Sequence, residues 1–263
     1  MFELYNLGQP IGFNMTKSKL SAIAKFFDKV AERYNQERNV KGGRLFNEYI
    51  ELPATKSLLP KRTFKNSKVL DIGCGIGSYT KFFVERGAFV ECSDISKNML
   101  KITSENCKDY KTSIKLHHDK FENLKLQKGA FDIIVGGFML SYFDDLEFAF
   151  KKVCSYLKDD GCAVFSMLHP VRLSVVRKSK SEFTISNYFD ETDYSTDLDF
   201  GGEEIYLNKW NIEDISKAVK KAGLFIDEQL EPKPDLPVNN NNPKAKLYFS
   251  CPSVYVVKLK KRK

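Results

Sequence analysis

The sequence has no uninterrupted apolar run near the roughly 18 residues that a membrane-spanning helix requires. Its start, MFELYNLGQPIGFNMTKSK, has neither a basic segment followed by an apolar core nor a small-residue cleavage site, so no secretory signal is expected. These absences predict a cytoplasmic protein without a membrane partner. The 263 residues are 42% hydrophobic, which suits one elaborated domain or one domain with an appended cap.

Cysteine pairs of the CxxC type are also missing. The six cysteines are scattered, and most lie in apolar segments, where a free thiol behaves as a small hydrophobic side chain. We therefore expect neither disulfides nor a zinc site, and no metal is assigned.

Acidic residues are fewer than basic ones, and the net charge is +8 with a pI near 9.0. The excess is mostly lysine spread along the chain, with one dense cluster, KLKKRK, at 258–263. Basic segments interleaved with aromatic residues, which are typical of single-stranded nucleic-acid binding, are not evident. The charge is interpreted as a solvated lysine-rich surface, and a dedicated polyanion site is the alternative.

What the sequence does contain is a regular alternation of apolar segments with helical patterns between residues 67 and 168. Ser96 is the expected N-cap of one of these helices. Strands that are apolar on both faces and alternate with helices indicate a parallel sheet covered on both sides, so the fold class is α/β. The predicted strands are 67–72, 88–95, 113–119, 131–140 and 162–170, and the predicted helices are 78–87, 96–110 and 145–161.

The flanking segments differ in character from this alternating core. Residues 1–66 contain amphipathic helices that end at Pro60 and predict an N-terminal helical cap. Residues 67–263 would form the main domain, with a polar, β-prone insertion at about 171–208 after the fifth strand. A helix leading into a strand (212–230) and a final strand (252–261) would complete the sheet.

The stretch VLDIGCGIGSYT, at 69–80, places three glycines after the first strand, at the edge where parallel sheets bind ligands. Gly73, Gly75 and Gly77 are spaced two and two, whereas a dinucleotide turn has the pattern GxGxxG. Asp71 would also repel a diphosphate. A ligand with an ammonium and a carboxylate removes this conflict, because the helix that begins near Gly77 offers amide groups to the carboxylate.

A second acid, Asp94, ends the second strand 23 positions after Asp71. A carboxylate there can accept hydrogen bonds from both hydroxyls of a ribose. The two acids together predict a pocket for an amino acid joined to a nucleoside, a description that fits S-adenosylmethionine.

Five segments in this order resemble the class I S-adenosylmethionine-dependent methyltransferases of the single-domain, small-molecule type. The resemblance covers roughly residues 30 to 260 and implies a Rossmann-like seven-stranded sheet, mostly parallel with an antiparallel last strand. The segments are VLDIGCGIG (69–77), ECSDISKNML (91–100), HHDKFENL (117–124), FDIIVGGFMLSYF (131–143) and LKDDGCAVFSMLHP (157–170).

The resemblance also implies which residues bind the cofactor, whose product is S-adenosylhomocysteine. Those around the methionine part would be Asp71, Gly73, Cys74, Gly75 and Gly77. Asp94 would hold the ribose, Ile95 and Met99 would pack on the adenine, and Asp119 would meet its amino group beside Lys120 and Phe121. The main chain at Gly136 and Gly137 would lie beneath the sulfur, and Tyr34 matches a position that often closes over the cofactor.

Candidates for orienting the methyl acceptor or accepting its proton are few, because the chain has only three histidines. His169 ends the fifth strand, where the resembling enzymes often carry His-Pro, and the alternative is a hydrogen-bonding role at that turn. Tyr142 is a candidate lining residue. Ser141 stands where the family frequently has histidine, so one common catalytic group is absent. His117 and His118 are interpreted as structural.

These observations predict methyl transfer to an oxygen or nitrogen atom of a small molecule by in-line displacement. An RNA ribose or base methyltransferase is the less favoured alternative, motivated by the net charge. NPPY or DPPY after the fourth strand is missing, and so is a Pro-Cys or Thr-Cys nucleophile. The third alternative is a cofactor-binding protein without turnover. The oligomeric state is left open.

Overall fold

The computed structural model describes residues 17–40, 46–177, 182–189, 194–196, 205–234 and 248–262. The helices are α1 (Lys17–Asn39), α2 (Leu52–Ser57), α3 (Ser78–Val84), α4 (Lys97–Asn106), α5 (Leu146–Tyr156), α6 (Pro170–Leu173) and α7 (Ile212–Lys221). The strands are β1 (Lys68–Ile72), β2 (Phe89–Asp94), β3 (Ile114–His118), β4 (Phe131–Gly136), β5 (Leu157–Leu168), β6 (Val175–Arg177), β7 (Phe183–Ile185), β8 (Tyr194–Thr196), β9 (Ile205–Leu207), β10 (Leu224–Leu230) and β11 (Val254–Lys261). Short 3₁₀ turns occupy Lys108–Ser113, Phe121–Asn123 and Leu140–Tyr142, and a π-helical segment, Asn47–Glu51, precedes α2.

Within the described residues the main sheet has seven strands in the order β10-β11-β5-β4-β1-β2-β3. Strands β1 to β5 pair in parallel, and β11 is antiparallel to both of its neighbours. The predicted α/β class and the mostly parallel seven-stranded sheet are therefore confirmed. The chain order reverses between β1 and β4. In this kind of sheet, the ligand crevice lies at the carboxyl ends of the strands at such a switch point.

Each central strand is apolar on both faces because each face supports its own core. Leu70 and Phe165 belong to a cluster packed against α5 and α7, whereas Val69 and Val164 belong to a cluster packed against α2 and α3. All four side chains are fully buried. Because both faces of these strands are buried, their sequences are continuous hydrophobic runs.

Helix α1 packs on α4 at the carboxyl edge of the sheet. Ala31 of α1 is buried together with Met99 and Ile102 of α4. Asp28 of α1 accepts hydrogen bonds from the Ser96 hydroxyl (2.6 Å) and from the Asn98 amide (3.0 Å). Ser96 is the N-cap of α4, as predicted, and its hydroxyl also accepts the Met99 N–H.

Several predicted boundaries are wrong, among them the start of the fifth strand, which lies at Leu157 rather than at 162, and the ends of the fourth strand and of the helix after it. The fourth strand ends at Gly136 rather than at 140, because Phe138 is in the left-handed region (φ 58°) and a 3₁₀ turn follows. The helix predicted for 145–161 ends at Tyr156, because Leu157 is extended and already pairs with Phe131 of β4.

The described parts of the insertion at 171–208 are α6 and two antiparallel strand pairs, β6 with β7 and β8 with β9. Ile205 and Leu207 of β9 are buried at the end of β5. This part of the insertion therefore joins the core. Among the described helices, none combines the length and the apolarity that crossing a membrane would need.

Candidate active site

The glycine turn after β1 has the conformation that its residue types require. Gly73, Gly75 and Gly77 have φ of 64°, 54° and 83°, in the left-handed region that glycine enters without strain. A Cβ on Gly73 would lie 2.1 Å from Met139 Sδ, so this position also needs the small residue for space. Cys74, between the glycines, is buried, and its contact with Cys92 together with burial raises the pKa of its thiol.

Asp94, at the end of β2, holds the turn in place. One carboxylate oxygen accepts the Gly75 N–H (2.9 Å) and the other accepts the Ser96 N–H (2.8 Å). Burial raises the pKa of Asp94 to about 6, although both hydrogen bonds lower it. The Thr103 hydroxyl of α4 donates to the Gly75 carbonyl at 2.6 Å. Side chains therefore bind both the N–H and the carbonyl of Gly75.

Asp71, at the end of β1, is a fully buried carboxylate with one unused oxygen. Its Oδ2 accepts the Thr80 hydroxyl at 2.7 Å, while Oδ1 has no hydrogen-bond partner in the described part of the chain. Burial is the main cause that raises the pKa of Asp71 to about 7, and the charges of Asp94 and Glu51 raise it further. Among the described residues, no cation compensates this buried acid.

Glu51 is a buried acid, close enough for its charge to act on Asp71, that the sequence analysis missed. It is buried at the end of the π-helical segment, where its carboxylate accepts the Tyr79 hydroxyl (2.7 Å) and the Ser166 hydroxyl (2.7 Å). Burial raises the pKa of Glu51, and these bonds oppose the rise. The available signal was an acid between Ile50 and Leu52 in an apolar helical segment.

The residues predicted to pack on the adenine lie beside the α1–α4 contact. Met99 is 2% exposed and packs with Ile76 of the glycine turn, while Ile95 is half-buried. Tyr34 of α1 borders the same cluster. Met99 is thus part of the core, a role that the helical spacing of apolar residues also predicted.

Asp119 lies at the end of β3 and is exposed. One of its oxygens accepts the Lys120 N–H and the Asn123 side-chain amide, both at 2.8 Å, which ties Asp119 to the 3₁₀ turn that follows. Phe121 is 3% exposed, and its ring packs against Phe143 in the core. The Phe121 ring therefore belongs to the core.

Close packing leaves no room for a side chain at Gly136 or Gly137. A Cβ on Gly136 would lie 2.8 Å from the Phe165 ring, and a Cβ on Gly137 would lie 2.7 Å from the Tyr79 ring. Phe138 follows in the left-handed region, and its N–H donates to a side chain of β5. The chain can turn tightly here because both positions carry no side chain.

His169, predicted as a catalytic residue, is buried at the turn after β5. Its Nδ1 accepts the Val171 N–H (3.1 Å), and its Nε2 lies 2.8 Å from a Glu231 oxygen. Its ring also contacts Tyr255 of β11. Burial lowers the pKa of His169. These contacts run toward β10 and β11, away from β1, and favour the hydrogen-bonding role at this turn.

Tyr142, the other catalytic candidate, lies in the 3₁₀ turn after β4. Its ring meets Phe27 of α1 edge-on at 5.9 Å, and burial together with the nearby Tyr34 and Asp94 raises the pKa of its hydroxyl. The neighbouring Ser141 is 2% exposed, and its hydroxyl has no hydrogen-bond partner within the described ranges. The turn after β4 therefore carries a buried hydroxyl group that is free to hydrogen-bond.

An apolar cluster, called here the edge cluster, covers the ends of β4 and β5. Its members come from α1, β5, α6 and β9, and five aromatic residues border it. The buried members are Phe26, Val30, Leu168, Leu173, Ile205 and Leu207, and the bordering residues are Phe27, Tyr34, Phe46, Phe138 and Tyr142.

Comparison with known proteins identifies the same region. The family described as a methyltransferase domain matches residues 69–161, from β1 into β5. An uncharacterized protein of Haemophilus influenzae is 33% identical over 130 residues, covering 48% of this chain and 50% of that protein. A malonyl-[acyl-carrier protein] O-methyltransferase of Buchnera aphidicola is 30% identical over 173 residues, covering 65% and 64%.

A solved structure shares the fold. The S-adenosylmethionine-dependent methyltransferase from Mesorhizobium loti superposes with a TM-score of 0.69 at 22% identity, over 81% of this chain and 97% of that one. The chain spans less than two thirds of the length of the curated relatives it matches. The matched segment contains the glycine turn, Asp71 and Asp94. The chain thus contains a segment, residues 69–161, that matches a methyltransferase domain family, and it shares the fold of a solved methyltransferase.

Proposed function

We propose that this chain binds S-adenosylmethionine at the glycine turn and transfers its methyl group to an oxygen or nitrogen atom of a small molecule. The observation that carries the proposal is the unpartnered, buried Asp71 oxygen next to three left-handed glycines. A buried carboxylate is costly without a cation, and a cationic amino-acid group supplies one. A dinucleotide would add negative charge where it is least tolerated.

The remaining cofactor contacts follow from the same edge of the sheet. Each oxygen of Asp94 accepts one backbone N–H, and a carboxylate oxygen has a second lone pair, so both can still accept a ribose hydroxyl. Ile95 and Met99 would border the adenine, and Asp119 retains an oxygen for the adenine amino group. In this proposal residues 1–66 act as the cap and residues 67–263 as the catalytic domain.

The methyl group on the bound sulfonium is electrophilic, so the protein's task is to align the acceptor and exclude water. The edge cluster supplies apolar and aromatic surface beside Tyr142, which favours an acceptor with an apolar or aromatic body. The unpaired Ser141 hydroxyl supports a polar contact that orients the acceptor atom. The Buchnera relative is itself an O-methyltransferase, which supports an oxygen acceptor.

The binding step is tested by calorimetry with S-adenosylhomocysteine. Asp94→Asn removes the charge that holds the turn and the ribose, so we expect binding to weaken by about 2 kcal/mol. Asp109→Asn, an exposed aspartate beyond α4, is the matched control and should leave affinity unchanged. Equal affinities for the two variants would refute the assigned role of Asp94.

A further inference from the structure

Glu51 gathers three hydroxyl groups on one oxygen inside the protein. Its Oε1 accepts the hydroxyls of Tyr79 (2.7 Å), Ser166 (2.7 Å) and Thr55 (3.1 Å), and the residue is 3% exposed. Three donors that converge on one oxygen need a group that only accepts, and an ionised carboxylate meets this requirement. The donors come from α2, α3 and β5, so one side chain joins three elements.

The helix is irregular at Glu51. Glu51 is the last residue of the π-helical segment Asn47–Glu51, and Pro53 stands near the start of α2. Proline has no N–H, so the regular hydrogen-bond pattern of an α-helix cannot run through it. The wide π turn just before it is a form found frequently at functional sites.

The Ser166 hydroxyl links the Glu51 carboxylate to the turn after β4. The Ser166 hydroxyl donates to Glu51 and accepts the Phe138 N–H at 2.8 Å. Phe138 has a φ of 58°, which a residue with a side chain adopts only when its surroundings compensate the strain. A Cβ on Gly137 would lie 3.3 Å from Glu51 Oε1, so the main chain itself approaches the carboxylate.

This turn touches the glycine turn. Met139, the next residue, packs so tightly on Gly73 that a Cβ there would lie 2.1 Å from its sulfur. Strands β1 and β4 are neighbours at the point where the strand order reverses. The main-chain conformation at Phe138 therefore decides where Met139 lies against the glycine turn.

We infer that Glu51 is a positioning residue of the cofactor site: through Ser166 it fixes the left-handed turn at Gly137–Phe138 and, with it, the floor of the crevice beside Gly73. The inference rests on the proposed function, because it assigns the crevice to S-adenosylmethionine. Glu51 does not act on the methyl group itself.

The test compares variants that break the contacts from Glu51 through Ser166 to Phe138 with a variant that leaves these contacts intact. Glu51→Ala and Ser166→Ala break the path to Phe138, whereas Thr55→Val removes a hydrogen bond to the same carboxylate without touching the turn. We expect each of the first two to weaken S-adenosylhomocysteine binding about tenfold, and the double variant to be no more than about threefold worse than either. Thr55→Val should stay within about threefold of the wild type.

Amide exchange measured by NMR supplies a readout that needs no ligand. The Phe138 amide should lose protection in Glu51→Ala and Ser166→Ala and keep it in Thr55→Val. Glu51→Gln retains an acceptor at Oε1 and should restore most of the affinity. If Glu51→Ala does not fold, Ser166→Ala and Glu51→Gln carry the same comparison.

The inference is overturned if S-adenosylhomocysteine affinity falls in proportion to lost stability in all variants, including Thr55→Val. It is also overturned if the Phe138 amide keeps its exchange protection in Glu51→Ala and Ser166→Ala. A wild-type chain that binds no S-adenosylhomocysteine overturns the proposed function and this inference together. A wild type that binds, with Glu51→Ala binding equally well, overturns this inference alone.

Discussion

At the scale of single residues, ionised Asp71 lowers the stability of the free protein but would favour the binding of a cationic ligand. Burial and neighbouring charges raise the pKa of Asp71 from 3.8 to about 7, so the folded chain disfavours its ionised form. Between these values the folded state binds more protons than the unfolded state, and stability falls as pH rises. The penalty is complete above about pH 7 and absent below about pH 4.

Asp71→Asn should therefore stabilise the free protein at neutral and alkaline pH. The pKa difference corresponds to at most about 4 kcal/mol, and the buried amide lowers the gain, so we expect about 1–3 kcal/mol at about pH 8. Urea denaturation at about pH 8 and about pH 5 measures it, and the gain should shrink at the lower pH. A destabilised variant at about pH 8 would show that the carboxylate is already compensated.

The same group predicts a pH dependence of cofactor binding. A cationic ligand prefers ionised Asp71, so the pKa of Asp71 should fall in the complex and binding should release a proton below about pH 7. Affinity for S-adenosylhomocysteine should then drop by up to about tenfold per pH unit as pH falls below about 7. Calorimetry in two buffers of different ionisation enthalpy measures the released proton, and an affinity independent of pH between about 6 and 8 would contradict the assignment.

At the scale of elements, the alternation of apolar and helical segments predicts β1 to β5, and the central strands β1, β4 and β5 are buried on both faces. The ends of β4 and α5 are not predictable in this way. Phe138 adopts its left-handed conformation because its N–H is bound by Ser166, which lies 28 positions away. The partners of Glu51 include residues 28 and 115 positions away, so its role depends on tertiary structure that local pattern does not encode.

Helix α1 and helix α4 are joined by polar contacts as well as by packing. Asp28→Ala removes the acceptor for the Ser96 hydroxyl and the Asn98 amide, so we expect a loss of about 1–3 kcal/mol and faster amide exchange in α1. Glu32→Ala, on the exposed side of the same helix, is the control. Equal exchange in both variants would mean that packing alone holds α1.

At the scale of the whole molecule, the basic cluster near the end of the chain is largely neutralised. Lys258 lies 2.6 Å from Glu228, Lys260 lies 2.9 Å from Asp227, and Lys261 lies 3.0 Å from an acid at the start of β5. These lysines belong to β11, so they pair with acids on adjacent strands. Three lysines of the cluster are therefore paired with acids.

We accordingly expect no gel shift of total RNA at about 50 mM salt, where non-specific electrostatic binding is strong. Binding that weakens steeply with added salt would contradict this and would favour the RNA methyltransferase alternative.

The most direct test of the central claim is a calorimetric titration of the wild-type chain with S-adenosylhomocysteine, run beside one with NAD⁺. Both ligands carry an adenosine group, but only the first presents a cationic amino group, and only the second presents a diphosphate. We expect one bound S-adenosylhomocysteine per chain and no binding of NAD⁺. Binding of NAD⁺ without binding of S-adenosylhomocysteine would contradict it.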